Sequence, residues 1–408
     1  MSLEKNNFYN ISIYLLPLAS FFILISPALT NVFILLSVFS SIILIIIKKD
    51  IEELLDEKIF ICCFLLYGIL LLSYIYTIAE FDEYFEVIKK YIKFLYIPFL
   101  FYLTKKLNNS ENIIRHFISG CTIILFLSYC KYFSLINYES LYSLLENLNI
   151  ANVKDKVINN NTSVFQDYII QGIVFSFYSF ICLIFALRNQ NLIYLILSFL
   201  AFFNVLFMND SRTAYILIAA LLAFSLSMVI KNNKIRLSIV IVFISIFFTQ
   251  FSDNLEFRIK TLHSDLSHME NNNYNSSLGL RYIWTKVGLD NLKNSPIIGN
   301  GAGSFEKSSL IYFEKNKVNL YSLYLTNNPH NEFISLSSQL GTIGFFLYFL
   351  FIYYLFNHSQ KNIFSYGLAL TVLISSVFNS AFYDNMLGLF LIIIISALYQ
   401  NNIKFLKK

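Results

Sequence analysis

The stretch NNPHNEFISLSSQLGTIGFFLYFLFIYYLF, residues 327–356, sets a histidine, three asparagines and a glutamate at the mouth of a long apolar run. About 20 apolar residues suffice to cross the hydrocarbon core of a bilayer as a helix. The run from 331 to 356 is overlong by that measure, and tilt or a turn outside the membrane would absorb the surplus. Comparable runs recur along the chain, at roughly 11–27, 29–47, 59–78, 87–103, 113–136, 169–187, 191–208, 212–230, 235–250, 363–381 and 386–399. Of 408 residues, 57% are hydrophobic and only 13% charged, too few charges to cover a water-soluble domain. Mean hydropathy is +0.61. The sequence therefore describes an all-α polytopic membrane protein with about twelve transmembrane helices.

The placement of charge orients the bundle. With the N-terminus inside, the even-numbered connections carry Lys48 and Lys49, Lys105 and Lys106, Arg188, Lys231, Lys234 and Arg236, Lys361, and finally Lys404, Lys407 and Lys408. The connection AEFDEYFE, 79–86, is acidic and falls outside. This is a positive-inside pattern with both termini cytoplasmic. It accounts for the net charge of +5 without any nucleic-acid partner. Five cysteines, Cys62, Cys63, Cys121, Cys130 and Cys182, all fall in apolar segments and read as small buried hydrophobes. The first run mimics a signal peptide, but a second follows at once, so a helical hairpin is expected there.

Two outer connections are long: 137–168, and 251–330 immediately before the tenth span. A connection of the second kind is functional or disordered rather than a mere link. It contains GLRYIWTKVGLDNLKNSPIIG with the only tryptophan of the chain, amphipathic material that predicts a short surface helix. The chain divides into N-terminal helices, 1–190, a central region, 191–356, and C-terminal helices, 357–408. No nucleotide-binding segment occurs, so any chemistry proceeds on the outer face without ATP.

Several residues could carry such chemistry. In NDSRTAYILIAALLAF, 209–224, a residue among Asn209, Asp210 and Ser211 caps an incoming helix, and Arg212 stands in its first turn. A cation is unfavourable at that end of the helix dipole. It is explained by an anion bound there, which a guanidinium can grip bidentately, or by an arginine reaching to headgroups or to Asp210. Arg281 lies on the predicted surface helix. The run GNGAG, 299–303, lacks the strand and Lys-Ser/Thr of a nucleotide loop and reads as a tight turn for close backbone packing. His330 falls at an outer helix N-terminus, where the dipole and nearby arginines keep imidazole neutral and able to accept a proton. The other histidines, His116, His263, His268 and His358, carry no such company. Lys89, Lys90 and Lys93 open the fourth span on its outer side, either reaching to headgroups or adding charge to an anion site; Lys90 and Lys93 would share a helix face. No Asp-x-Asp pair or metal-spaced cluster occurs in the outer loops.

These residues resemble the bacterial O-antigen ligases and their relatives, the O-antigen polymerases and protein O-oligosaccharyltransferases. The resemblance rests on Ser211-Arg212-Thr213-Ala214, on Arg281 with Trp284 ahead of Pro296-x-x-Gly299-x-Gly301-x-Gly303-x-Phe305, and on His330-Asn331-Glu332 leading to Gly341-x-x-Gly344. It spans about 205–356. It implies a metal-independent, inverting glycosyltransferase of the GT-C type in the bacterial inner membrane, working without a cofactor on the periplasmic face. The implied donor is a glycan on undecaprenyl pyrophosphate, and for a ligase the acceptor is a sugar hydroxyl of lipid A–core. Carried over, Arg212 and Arg281 hold the pyrophosphate and His330 deprotonates the acceptor. Ser211, Asn331, Lys90 and Lys93 are candidate substrate contacts. Compact length and one dominant outer loop favour ligase over polymerase, and the lack of a large C-terminal domain disfavours a protein glycosyltransferase. A lipid-linked sugar transporter would place its charges near the bilayer midplane rather than at one interface.

Overall fold

The structure, a computed structural model, describes residues 2–136, 162–229, 274–318, 325–359 and 362–399. The ninth predicted span, 235–250, most of the 137–168 connection, and His263 and His268 lie outside the described residues. Every regular element among those described is helical. Five helices are long and apolar enough to cross a membrane and five shorter ones are also apolar.

Helices α1 (Ser2–Phe22) and α2 (Pro27–Lys48) pack on each other as the expected hairpin. Ser26 caps α2, its hydroxyl accepting from Leu29 N at 3.3 Å, and Pro27 stands at the first helical position, where no N–H is required. Helix α3 is Lys58–Leu72. The fourth predicted span then departs from expectation: two helices, α4 (Phe81–Tyr91) and α5 (Lys93–Leu107), meet at Ile92. Only α4's Tyr84, Val87, Ile88 and Tyr91 are buried, so it is an amphipathic segment leading into α5. Lys90 and Lys93 consequently lie on different helices. Then come α6 (Ser110–Tyr132), α7 (Tyr168–Asn189) and α8 (Leu192–Phe203), the last running into a π turn at Asn204–Met208. Helix α9 is Arg212–Val229, and the surface helix predicted in the large loop is α10, Ser277–Asn294. Helices α11 (Phe305–Lys315), α12 (Glu332–Ser359), α13 (Ile363–Phe378) and α14 (Asn385–Leu398) complete the chain.

The bundle is built around α14, whose residues from Met386 to Leu398 are all buried. A helix apolar on every side belongs inside such an assembly, and α14 touches α1, α2, α5, α6, α7 and α13. Outward-facing side chains are apolar as well: Phe39 and Ile46 on α2 and Leu192 and Phe199 on α8 are more than 60% exposed. Such surfaces suit lipid rather than water. All five cysteines are buried and free.

The overlong tenth span is broken rather than only tilted. Gly341 has φ 64° and ψ −155°, so α12 consists of an outer piece, 332–340, and a longer apolar piece, 342–359. In an unbroken helix the carbonyls of 338 and 339 would accept from the N–H groups of 342 and 343. Here a loop replaces both partners. Asn300 N and Gly301 N donate to Ser338 O and Gln339 O at 3.2 and 2.9 Å, while Thr342 N and Ile343 N donate to Pro296 O and Ile297 O at 2.8 and 3.4 Å. A Cβ on Gly341 would lie 2.3 Å from Ile297 O, and one on Gly301 would lie 2.4 Å from Thr77 Cα. The GNGAG run is thus the close-packing turn anticipated from its composition, inserted into a helix.

Candidate active site

The N-terminus of α9 is fixed locally. Asn209 Oδ1 accepts from Ser211 N at 2.8 Å, Asn209 Nδ2 donates to Tyr168 O at 2.9 Å, and Ser211 Oγ accepts from Ala214 N at 3.3 Å. Ser211 is the cap, buried beneath the turn, and the next side chain, Arg212, is exposed. Helix α10 starts at its own cap, Ser276 Oγ accepting from Gly279 N at 3.1 Å. Its Ile283, Trp284 and Val287 bury themselves with Phe305 and Phe313 in a small second core. That core anchors the surface helix and holds Arg281 half-buried three residues before Trp284.

Arg281 lies within electrostatic reach of both Arg212 and His330. Burial, and then the neighbouring Arg212 guanidinium, hold Arg281 below its ordinary pKa. Tyr168, the first residue of α7, lies within electrostatic reach of both guanidiniums. The His330 ring packs on Trp284, centroids 5.4 Å apart. Its backbone is left-handed, φ 52°, a conformation in which His is enriched among non-glycine residues, and Asn328 Oδ1 accepts from its N–H at 3.0 Å. His330 stands exposed at the rim of a recess. Desolvation there is the main cause that lowers its pKa, and Arg281 adds to it against the opposing pull of Asp384 and Asp167. An imidazole so held is neutral at pH 7 and can accept a proton.

Beside His330 lies a cavity of about 160 Å³, whose wall includes Asp167, Asn328, Asn379, Ser380 and Asp384. The helix starts around it are those of α7, α12 and α14, with α9 near by. Asp167 Oδ1 caps α7 through Ile169 N at 2.8 Å, and Asp384 Oδ1 caps α14 through Leu387 N at 2.9 Å. Asn331 Oδ1 caps α12 through Ile334 N at 3.0 Å. Positive helix ends favour an anion nearby.

The floor of the site is the turn between α13 and α14, tied down at several points. Asn331 Nδ2 donates to Val377 O at 2.8 Å and Phe382 N donates to Glu332 Oε2 at 2.9 Å. Lys93 Nζ donates to Phe382 O and Asp384 O, both at 2.8 Å. Lys93 is 3% exposed. Lys90 pairs with Glu86 at 2.6 Å and lies 4.1 Å from the centre of the Tyr383 ring. The four candidate substrate contacts thus have protein partners: Ser211 and Asn331 are caps, Lys93 clamps the turn from behind, and Lys90 is paired on α4. Sequence reading missed Asp167, Asp384, Asn379 and Ser380. The two aspartates did carry a signal, each being an N-cap residue directly ahead of an apolar run. Asn379 and Ser380 had none, because only the tertiary turn brings them to His330. Among the described residues, no group of three His, Cys, Asp or Glu side chains could hold a metal ion.

Residues 193–349 match the family model described as O-antigen ligase. No curated protein sequence matches the chain. The matched stretch contains Arg212, Arg281 and His330, and the wall of the cavity is completed by Asp167, Asn379, Ser380 and Asp384 from outside it. The match supports an enzyme of the O-antigen ligase/polymerase type in lipopolysaccharide biosynthesis, and the five helices long and apolar enough to cross a membrane are consistent with a multi-pass membrane protein.

Proposed function

We propose that the chain is an O-antigen ligase of the GT-C type. It transfers a glycan from undecaprenyl pyrophosphate to a sugar hydroxyl of lipid A–core, on the periplasmic face of the inner membrane and with both termini cytoplasmic. The observation that carries this reading is the convergence of Arg212, Arg281 and a neutral-leaning His330. Among the described residues, neither arginine has a carboxylate ion pair, and two such guanidiniums within electrostatic reach of each other suit a diphosphate, whose oxygens each can grip bidentately.

The reaction is an in-line displacement. The acceptor oxygen forms a bond to the anomeric carbon as the bond from that carbon to the phosphate oxygen breaks. The electron pair of the broken bond leaves with undecaprenyl pyrophosphate, and the acceptor proton passes to the His330 imidazole. Charge grows on the departing pyrophosphate, so fixed guanidiniums stabilise the transition state more than the ground state. The helix ends add to the same field. Ser211, Asn331 and Lys93 act as positioning residues, and Lys90 steadies the α4 face beside Tyr383.

The test uses purified full-length protein in detergent with the lipid-linked glycan and lipid A–core. Glycan appearing on the core without vesicles is expected; absence of transfer overturns the proposal, and transport activity alone would replace it with a carrier. Deleting the gene and staining lipopolysaccharide separates ligase from polymerase. A core with no polymer, and polymer accumulating on the carrier, is the ligase result, whereas a core bearing one repeat unit is the polymerase result.

A further inference from the structure

We propose that the cavity beside His330 is the subsite of the acceptor sugar, and that Asn379 and Ser380 are the specificity-determining residues that read its hydroxyl groups. The proposal rests on the glycosyl-transfer reading above and adds to it the place and chemistry of acceptor recognition.

The wall of the cavity states what kind of ligand it takes. Asp167 and Asp384 contribute carboxylates, and no lysine or arginine lines it. Like charge disfavours a phosphate there, whereas a neutral sugar ring offers hydroxyl donors to the carboxylates. The volume, about 160 Å³, is far above the ~10–15 Å³ that one water requires. His330 shares the wall, so a hydroxyl held in the cavity lies next to the imidazole.

Asn379 and Ser380 supply the second, independent observation. They are 6% and 1% exposed, and Asn379 Nδ2 and Ser380 Oγ have no hydrogen-bond partner among the described residues. Buried polar atoms are nearly always satisfied in folded proteins. Others without a partner, such as Ser41 Oγ and Ser304 Oγ, lie away from this cavity, whereas Asn379 and Ser380 are adjacent residues of its wall, where a ligand can supply the missing partner. Nor is the turn that carries them loosely built. Asn331 holds Val377, Glu332 holds Phe382, and Lys93 holds Phe382 and Asp384, so Asn379 Nδ2 and Ser380 Oγ lack a partner within a braced segment whose backbone is itself bonded. A hydroxylated ring can come from the acceptor or from the first sugar of the donor. The donor sugar is attached to the pyrophosphate and follows the arginines, while the ring that presents a hydroxyl to His330 is the acceptor.

The experiment compares wild type with Ser380→Ala, Asn379→Ala and the double variant, all as full-length protein in detergent. Removing an unpartnered buried hydroxyl leaves the fold no worse off. The thermal midpoint of Ser380→Ala is therefore expected to stay or rise, while KM for lipid A–core rises ~3–10-fold, KM for the donor holds, and kcat changes less than either variant's acceptor KM. Asn379→Asp keeps the shape and loses a donor, which guards against a folding defect in Asn379→Ala. A parallel arm measures binding of released core oligosaccharide without any catalysis, expecting the same weakening. A rise in donor KM alone, unchanged acceptor KM and binding, or no core oligosaccharide binding by wild type overturns the proposal. Should wild type bind the oligosaccharide in a Ser380-dependent way yet transfer nothing, the subsite stands and the transferase reading fails.

Discussion

At one end of α5, Lys106 Nζ lies 2.7 Å from Asp50 and 2.6 Å from Glu53, and Lys105 lies 3.3 Å from Glu53. The hydrogen bond from Lys106 is the largest cause holding the carboxyls of Asp50 and Glu53 below their usual range. At the other end, past Lys93, the cations of the site stand without such partners: burial and then Arg212 lower the pKa of Arg281, burial and then Arg281 lower that of His330, and no described carboxylate pairs with either arginine. The first arrangement is closed and serves the fold alone. The second keeps like charges within reach of one another near His330, an arrangement that an anion would relieve. Cations that a fold has paired contribute modestly to stability, whereas cations it leaves facing each other point to a ligand.

The largest effect that would test this contrast is loss of the base. His330→Ala should reduce transfer by about 10²–10⁴-fold, the range of a positioned general base, with the protein still in the membrane. Wild-type lipopolysaccharide ladders in that variant would remove His330 from the chemistry. Next, the same kind of swap made at both ends should separate them. Arg281→Lys replaces a fork by a point charge and should reduce kcat by about tenfold or more, since one charged hydrogen bond is worth ~1.5–3 kcal/mol. Lys106→Arg, facing Asp50 and Glu53, should leave transfer rates as they were. Equal tolerance at the two ends would collapse the distinction.

Smaller is the effect of Gly341→Ala. The left-handed backbone and the collision with Ile297 O should destabilise the protein by ~1–3 kcal/mol, read as a lowered thermal midpoint. The smallest is a shift of pH profile. Because burial and Arg281 lower the His330 pKa, its basic form persists below the ordinary value of 6.5, and kcat/KM should fall only on the acid side of that. Asp384 raises that pKa, so Asp384→Asn, which can still cap α14, should move the acid limb to still lower pH. A shift to higher pH would contradict the electrostatic assignment.

Much of this was legible before any coordinates. Arg212 following a capping serine, an amphipathic helix carrying Arg281 and Trp284, a glycine turn and His330 before an apolar run are all local patterns, set by cap chemistry and helical period. Two features escaped because a hydropathy window averages over them. The meeting of α4 and α5 at Ile92 and the break at Gly341 lie inside windows that average as apolar despite Lys89, Lys90 and Lys93 around the first and Ser337, Ser338 and Gln339 before the second. Glycine within such a run announces nothing by itself; what exposes the break is the loop 296–301, some forty residues earlier in sequence. Glu332 and Lys93 escaped in a different sense. Their types were visible, but the backbone groups they hold, at 382 and 384, belong to a turn that only the assembled bundle brings under them.

The loop inserted at Gly341 also bears on how such proteins can be recombined. Because 296–301 supplies backbone partners that α12 lacks, the shelf carrying His330 and the apolar rod beneath it are joined through a segment from another part of the chain. A chimera that exchanges the outer loop with a relative should therefore carry 296–303 and 338–343 as one cassette. Splitting them would strand four peptide groups and let the imidazole drift from its place on Trp284.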